Sequence, residues 1–119
     1  MLPFERLNVY HAALQFTDVI YNTVKNWPRE EVYSLTDQLK RASVSIALNI
    51  AEGTSRTKKD FRHFLDLSRG SCYECVSILE IAKNRGFVRE RQYASLYDQC
   101  VSIVKMINGL RNSLVNHEQ

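Results

Sequence analysis

No proline follows Pro28, and only Gly53, Gly70, Gly86 and Gly109 supply glycine anywhere in the chain. So few breakers confine the chain to long helices, because strands of ordinary length need a turn signal every few residues. The apolar spacing agrees. Leu7, Tyr10, Leu14, Thr17, Tyr21 and Val24 recur at steps of three and four, which predicts a first helix over about 5–25. Asn26-Trp27-Pro28 ends it. Leu35, Leu39, Ala42, Ile46, Asn49 and Gly53 repeat the spacing and predict a second helix over about 29–53, or from nearer Ser34 if Ser34-Leu35-Thr36-Asp37 caps it.

Gly53-Thr54-Ser55-Arg56 reads as a short polar turn. Thr57, followed by Asp60, can cap a third helix over about 57–84, with a seam of Phe61, Phe64/Leu65, Ser68, Cys72, Cys75/Val76, Leu79 and Ala82. Gly86 supplies a stop. Tyr93, Leu96, Cys100, Ile103, Ile107, Leu110 and Leu114 then give a heptad seam in a fourth helix over about 89–115. Four helices with short connections predict an all-α, up-down-up-down antiparallel four-helix bundle, and 119 residues make one domain over 1–119.

Two helices carry more apolar surface than a lone bundle needs. The third has a second stripe of Leu67, Gly70, Ser71, Glu74, Ile78 and Ile81, and the first has Val9, Ala13, Phe16 and Ile20. Such double stripes point to burial against another subunit, with Leu67, Gly70, Ile78 and Ile81 as interface candidates.

Reaction chemistry is hard to find. Cys72-Tyr73-Glu74-Cys75 is a C-x-x-C placed mid-helix, with no second pair to complete a zinc site, so core cysteines fit better. Asp60-Phe61-Arg62-His63 is a single D-x-x-H where a di-iron bundle needs paired E-x-x-H. The serines lie on helices without a G-x-S-x-G elbow, His11, His63 and His117 are scattered, and no glycine-rich phosphate loop exists. No catalytic residue, metal ligand, cofactor or small-molecule substrate is implied. No run reaches the ~20 apolar residues of a membrane span, no signal peptide is evident, and an odd cysteine count suits a reducing compartment. Those features predict a cytoplasmic protein.

The basic residues cluster. Residues 54–69 hold Arg56, Lys58, Lys59, Arg62 and Arg69 against Asp60 and Asp66; residues 83–91 hold Lys83, Arg85, Arg89 and Arg91 against Glu90. Each is an ordinary solvated face in a monomer. Repeated by symmetry in a ring, such patches sum into a field that attracts RNA or DNA without regard to sequence.

Gln38-x-x-Arg41-Ala42, Ser45-Ile46-x-x-Asn49-Ile50-Ala51-Glu52-Gly53, Phe61-x-x-Phe64-Leu65 and Gly70-Ser71-x-x-Glu74, with Phe4-x-x-Leu7 and Trp27-Pro28-x-x-Glu31, carry a family resemblance over nearly the whole chain. The sequence resembles the four-helix bundle proteins encoded within intervening sequences of bacterial 23S rRNA genes. The resemblance implies a bacterial cytosolic bundle assembling as a homopentameric ring. It also implies kinship with the accessory proteins of diversity-generating retroelements, which bind nucleic acid and a reverse transcriptase. Cys72 and Cys75 stand where that family usually has aliphatic residues.

Asn49 shares a stripe with Leu39, Ala42 and Ile46, and Glu52 sits at a helix C-terminus where the dipole disfavours it. Both therefore need partners. Pairing the second and third helices about the turn predicts two polar layers, Asn49/Glu52 near Arg56 and Arg62, and Gln38/Arg41/Ser71/Glu74 deeper, which would lock register. The function expected is a non-enzymatic, ring-forming bundle, a scaffold or RNA-associated factor. Its alternative is a nucleic-acid-binding accessory protein acting through Arg56, Lys58, Lys59 and Arg62.

Overall fold

The structure, a computed structural model, describes residues 1–116. Four α-helices are joined by short connections: α1 Asn8–Thr23, α2 Leu35–Thr54, α3 Lys58–Asn84 and α4 Glu90–Asn116. Three 3₁₀ turns, Pro3–Arg6, Val24–Asn26 and Arg29–Glu31, flank α1 and precede α2. The short connections turn each helix back on the one before it, and cross-helix bonds tie the neighbours together. Thr17 Oγ1 donates to the Ser43 carbonyl, Ser68 Oγ to the Ile46 carbonyl and Arg111 Nε to Asp66 Oδ1. Consecutive helices are therefore antiparallel, in a rod of 49 × 22 × 21 Å. Contact is most extensive between α2 and α3.

The helix ends follow local chemistry. Thr57 Oγ1 accepts the Asp60 N–H at 3.2 Å and caps α3. α3 stops in a Schellman arrangement: Gly86 takes φ +81°, its N–H donates to the Lys83 carbonyl, and the Phe87 N–H donates to the Ala82 carbonyl. The start of α2 differs from the 29–53 reading. Pro28 opens only a 3₁₀ turn, and the Ser34 hydroxyl bonds Glu31 instead of capping the helix that begins at Leu35.

The core contains Phe16, Ile20, Leu39, Ile46, Ile50, Leu65, Leu79, Leu96, Ile103 and Ile107, with Cys72, Cys75 and Cys100 among them. The centre of the buried face of α1 lies about 100° round from the stripe expected, of which Val24 is still buried and Leu7 and Tyr10 still pack on the core. Val9, Ala13, Phe16 and Ile20 fill the core, while Leu14 and Tyr21 are exposed. The two stripes have the same period, and the one without a polar member is the one buried. Ile78 is likewise only 4% exposed within the single chain, so it packs inside this bundle and is not available at a surface.

Gly53 is helical, one residue before the end of α2, and not the turn expected. A Cβ there would lie 2.6 Å from Phe61 Cδ1 and 3.0 Å from Phe64 Cβ. The aromatic pair at the start of α3 needs that space. Gly53→Ala should gain about 1 kcal/mol of helix propensity. It should nonetheless lower net stability by about 1–2 kcal/mol in chemical denaturation, because overpacking costs up to about 3 kcal/mol. A stabilised Gly53→Ala protein would show that α3 moves away at no cost.

Candidate functional site

α2 turns one stripe outward beside its core stripe. Gln38, Arg41, Ser45, Asn49 and Glu52 follow one another at steps of three and four, and Ser45 meets Ser71 across the α2/α3 seam with 2.7 Å between hydroxyl oxygens. Further hydrogen bonds hold these residues in place. Asn49 Nδ2 donates to the Ser45 carbonyl at 2.9 Å and to Ser45 Oγ at 3.0 Å; Ser71 Oγ donates to the Leu67 carbonyl at 3.2 Å. The Ser45 and Ser71 hydroxyls share one hydrogen bond in which either can donate. The two seam hydroxyls and the Asn49 amide nitrogen are thus bonded within the chain.

The remaining residues of the two expected layers lie elsewhere. Glu52 is nearly half exposed and pairs with Arg56, one helical turn on, at 2.9 Å, while the Arg56 guanidinium sits 5.3 Å from the Phe64 ring centroid. An exposed pair of this kind contributes only about 0–1 kcal/mol. Gln38 and Glu74 are exposed, and Arg41 binds Asp37 on its own helix at 2.9 Å. The deeper layer therefore contains Ser45, Asn49 and Ser71, without Gln38, Arg41 or Glu74. Arg41 and Glu74 are turned about 40–60° outward from Ser45 and Ser71, whereas Gln38 shares the azimuth of Ser45 and lies two turns nearer the start of α2.

Large apolar side chains share this outer face. Leu48 is 62% exposed on α2; Leu67 and Ile81 are 44% and 48% exposed on α3, with Gly70 between them. Of the four interface candidates, Leu67, Gly70 and Ile81 are outside and Ile78 is inside.

The α3/α4 side carries a clamp that sequence reasoning missed. Arg111 holds Asp66 through Nε at 2.7 Å and Nη2 at 3.1 Å, and Arg69 bridges Asp66 at 2.9 Å and Asn108 at 2.6 Å. The Arg111 hydrogen bond holds the Asp66 carboxyl below its ordinary range, with partial burial opposing it. Asp66 and Arg69, three residues apart on α3, were the available signal. Beside this clamp the two helices leave a largely apolar groove of about 560 Å³, with Cys72 and Cys100 in its wall.

The basic clusters occupy opposite ends of the rod. Lys58 and Lys59 are exposed in the first turn of α3, Arg56 is engaged by Glu52, and Arg62 is half-buried. At the far end Lys83 Nζ sits 4.4 Å from the Tyr93 ring centroid, with Arg85, Arg89 and Arg91 exposed. Among the described residues no His, Cys, Asp or Glu group of three or more has the geometry to hold a metal ion, and no helix is long and apolar enough to cross a membrane. His117 lies outside the described residues.

A family model described as 23S rRNA-intervening sequence protein matches residues 5–109. The chain belongs to that family. The match spans all of α1 to α3 and most of α4, including the whole outer face of α2 and α3. The crystal structure of a protein with unknown function from the S23 ribosomal protein family of Bacteroides thetaiotaomicron shares the fold. It superposes with a TM-score of 0.80 at 24% identity, covering 87% of this chain and 95% of that one. No curated protein matches this chain.

The three thiols follow a different chemistry from that of an exposed C-x-x-C. All are buried, and desolvation pushes Cys72 and Cys100 up to about 12 and raises Cys75 further, with neighbouring thiols adding to it. They stay neutral near pH 8 and contribute stability that is lost as pH rises from about 9 towards 12. Native protein at pH 8 should react negligibly with a thiol reagent over minutes, and release three equivalents once unfolded in guanidinium. Rapid reaction of any thiol in the folded state would contradict the buried assignment.

Proposed function

We propose that this chain is a non-enzymatic, ring-forming bundle protein that serves as a scaffold or RNA-associated factor in the bacterial cytoplasm. The observation that carries the reading is the outer face of α2 and α3. Its seam is hydrogen-bonded within the chain and the core beneath it is closed, yet Leu48, Leu67 and Ile81 stay uncovered. A bundle that has completed its own core gains nothing from them, whereas a second copy of the chain would bury them. The sequence resemblance implies five copies as the ring size, and three free cysteines fit a reducing compartment.

Sedimentation tests it. Wild type should run several-fold heavier than 13.8 kDa. Leu67→Lys combined with Ile81→Lys should keep the helical circular dichroism and shrink the particle. An unchanged particle would reject this face as an interface. Ile78→Lys is unsuitable because it would bury a charge inside the bundle.

A second reading, nucleic-acid binding, is favoured by the exposed Lys58 and Lys59 at one end and Arg85, Arg89 and Arg91 at the other. A ring would display each set in every copy, and the density of positive charge would grow accordingly. Filter binding of a structured RNA at rising salt should show affinity falling steeply, with a log–log slope of several. Lys58→Glu with Lys59→Glu should abolish most of it. No binding at low salt would reject this reading and leave the ring reading intact.

A further inference from the structure

A head-to-tail ring needs two different surfaces on each copy, and the molecule offers a matched pair. One is the α3/α4 groove, lined by Tyr73, Val76, Glu80, Tyr97, Val101 and Lys105. The other is the outward stripe of α1 and its C-terminal turn, where Leu14, Asp18, Tyr21 and Lys25 are all exposed at steps of three and four.

Their heights along the rod follow from the cross-helix bonds. Asp66–Arg111 and Arg69–Asn108 set Lys105 level with residue 72 of α3, so Lys105 and Glu80 mark opposite ends of the groove, roughly 12 Å apart at 1.5 Å per residue. Ser45–Ser71 sets Ser43 level with residue 73, and Thr17 bonds Ser43, so Thr17 is at that level too. α1 runs parallel to α3. Asp18 therefore lies within about 3 Å of the height of Lys105, and Lys25 within about 2 Å of the height of Glu80.

Rotation about a ring axis along the rod moves a copy sideways and leaves every height unchanged. Acid then meets base at both ends of the groove, with Tyr21 arriving at the level of Val76 and Val101. The outward stripe of α2 fails the same comparison. It would bring Asp37 to the height of Glu80 and Arg41 close to that of Lys105, like against like.

We infer that α1 of one copy lies in the α3/α4 groove of the next, with Asp18 paired to Lys105 and Lys25 to Glu80; this rests on the reading above that copies assemble, and is a contact separate from the α2/α3 face. The occupant of the groove is a second copy of this chain, and the two charge pairs set the angle and height at which copies meet.

Charge reversal tests the pairing, since all four side chains are exposed and their replacement spares the core. Asp18→Lys and Lys105→Asp alone should each weaken assembly at least about tenfold in sedimentation equilibrium, and the combined variant should recover most of it. Lys25→Glu with Glu80→Lys should behave alike. Carbodiimide cross-linking of mixed ¹⁴N- and ¹⁵N-labelled wild type should yield mixed-isotope peptides joining Asp18 to Lys105 or Lys25 to Glu80. If wild type assembles but the single reversals have no effect and no such peptides form, another surface fills the groove; this inference falls and the ring reading stands. A wild type that remains monomeric at high concentration overturns both.

Discussion

The bundle depends on how closely α2 and α3 approach each other. Small residues make that approach: Ala42 and Gly53 on α2, Ser68 and Ser71 on α3, all buried. Close backbones put hydroxyls within reach of the opposite helix, so Ser68 bonds the Ile46 carbonyl at 2.8 Å and Ser71 meets Ser45. The same closeness lets the Phe61 and Phe64 rings fold over the end of α2, where a single methyl would collide. α1 and α4 then pack on a pair whose register is already fixed.

That register has an electrostatic partner on the far side of α3. Arg111 and Arg69 converge on one carboxylate of α3, and the Arg69 guanidinium also reaches Asn108 on α4. Each contact is partly solvated and modest in isolation, but the bidentate geometry of Arg111 fixes the sliding position of α4 more sharply than apolar packing does. Seam and clamp together make residue heights comparable between all four helices.

Four helices, their order and most of the α3 and α4 core were legible because proline is absent after Pro28 and the apolar period is strong. The core face of α1 was not. Both of its stripes repeat at the helical period, and periodicity gives a spacing without a direction; the uninterrupted run Val9, Ala13, Phe16 and Ile20 outweighs a stripe interrupted by Thr17. Ile78 was misread for a related reason, since it lies at the border of the two α3 stripes. The motif residues were legible as a group, yet their depth was not. Arg41 and Glu74 lie about 40–60° round their helices from Ser45 and Ser71, and Gln38 shares the azimuth of Ser45 two turns away along α2, differences that no spacing rule resolves. Arg41 and Glu52 also had nearer partners, Asp37 and Arg56, on or just beyond their own helix.

The hydrogen bond from Asn49 to the Ser45 carbonyl has a consequence of its own. Because the Ser45 carbonyl can only accept, the amide nitrogen of Asn49 must turn toward it, and its carbonyl oxygen Oδ1 is then directed away from Ser45. The Asn49 side chain is thereby tied to the preceding turn of its own helix, so the orientation of this polar position is set by α2 itself.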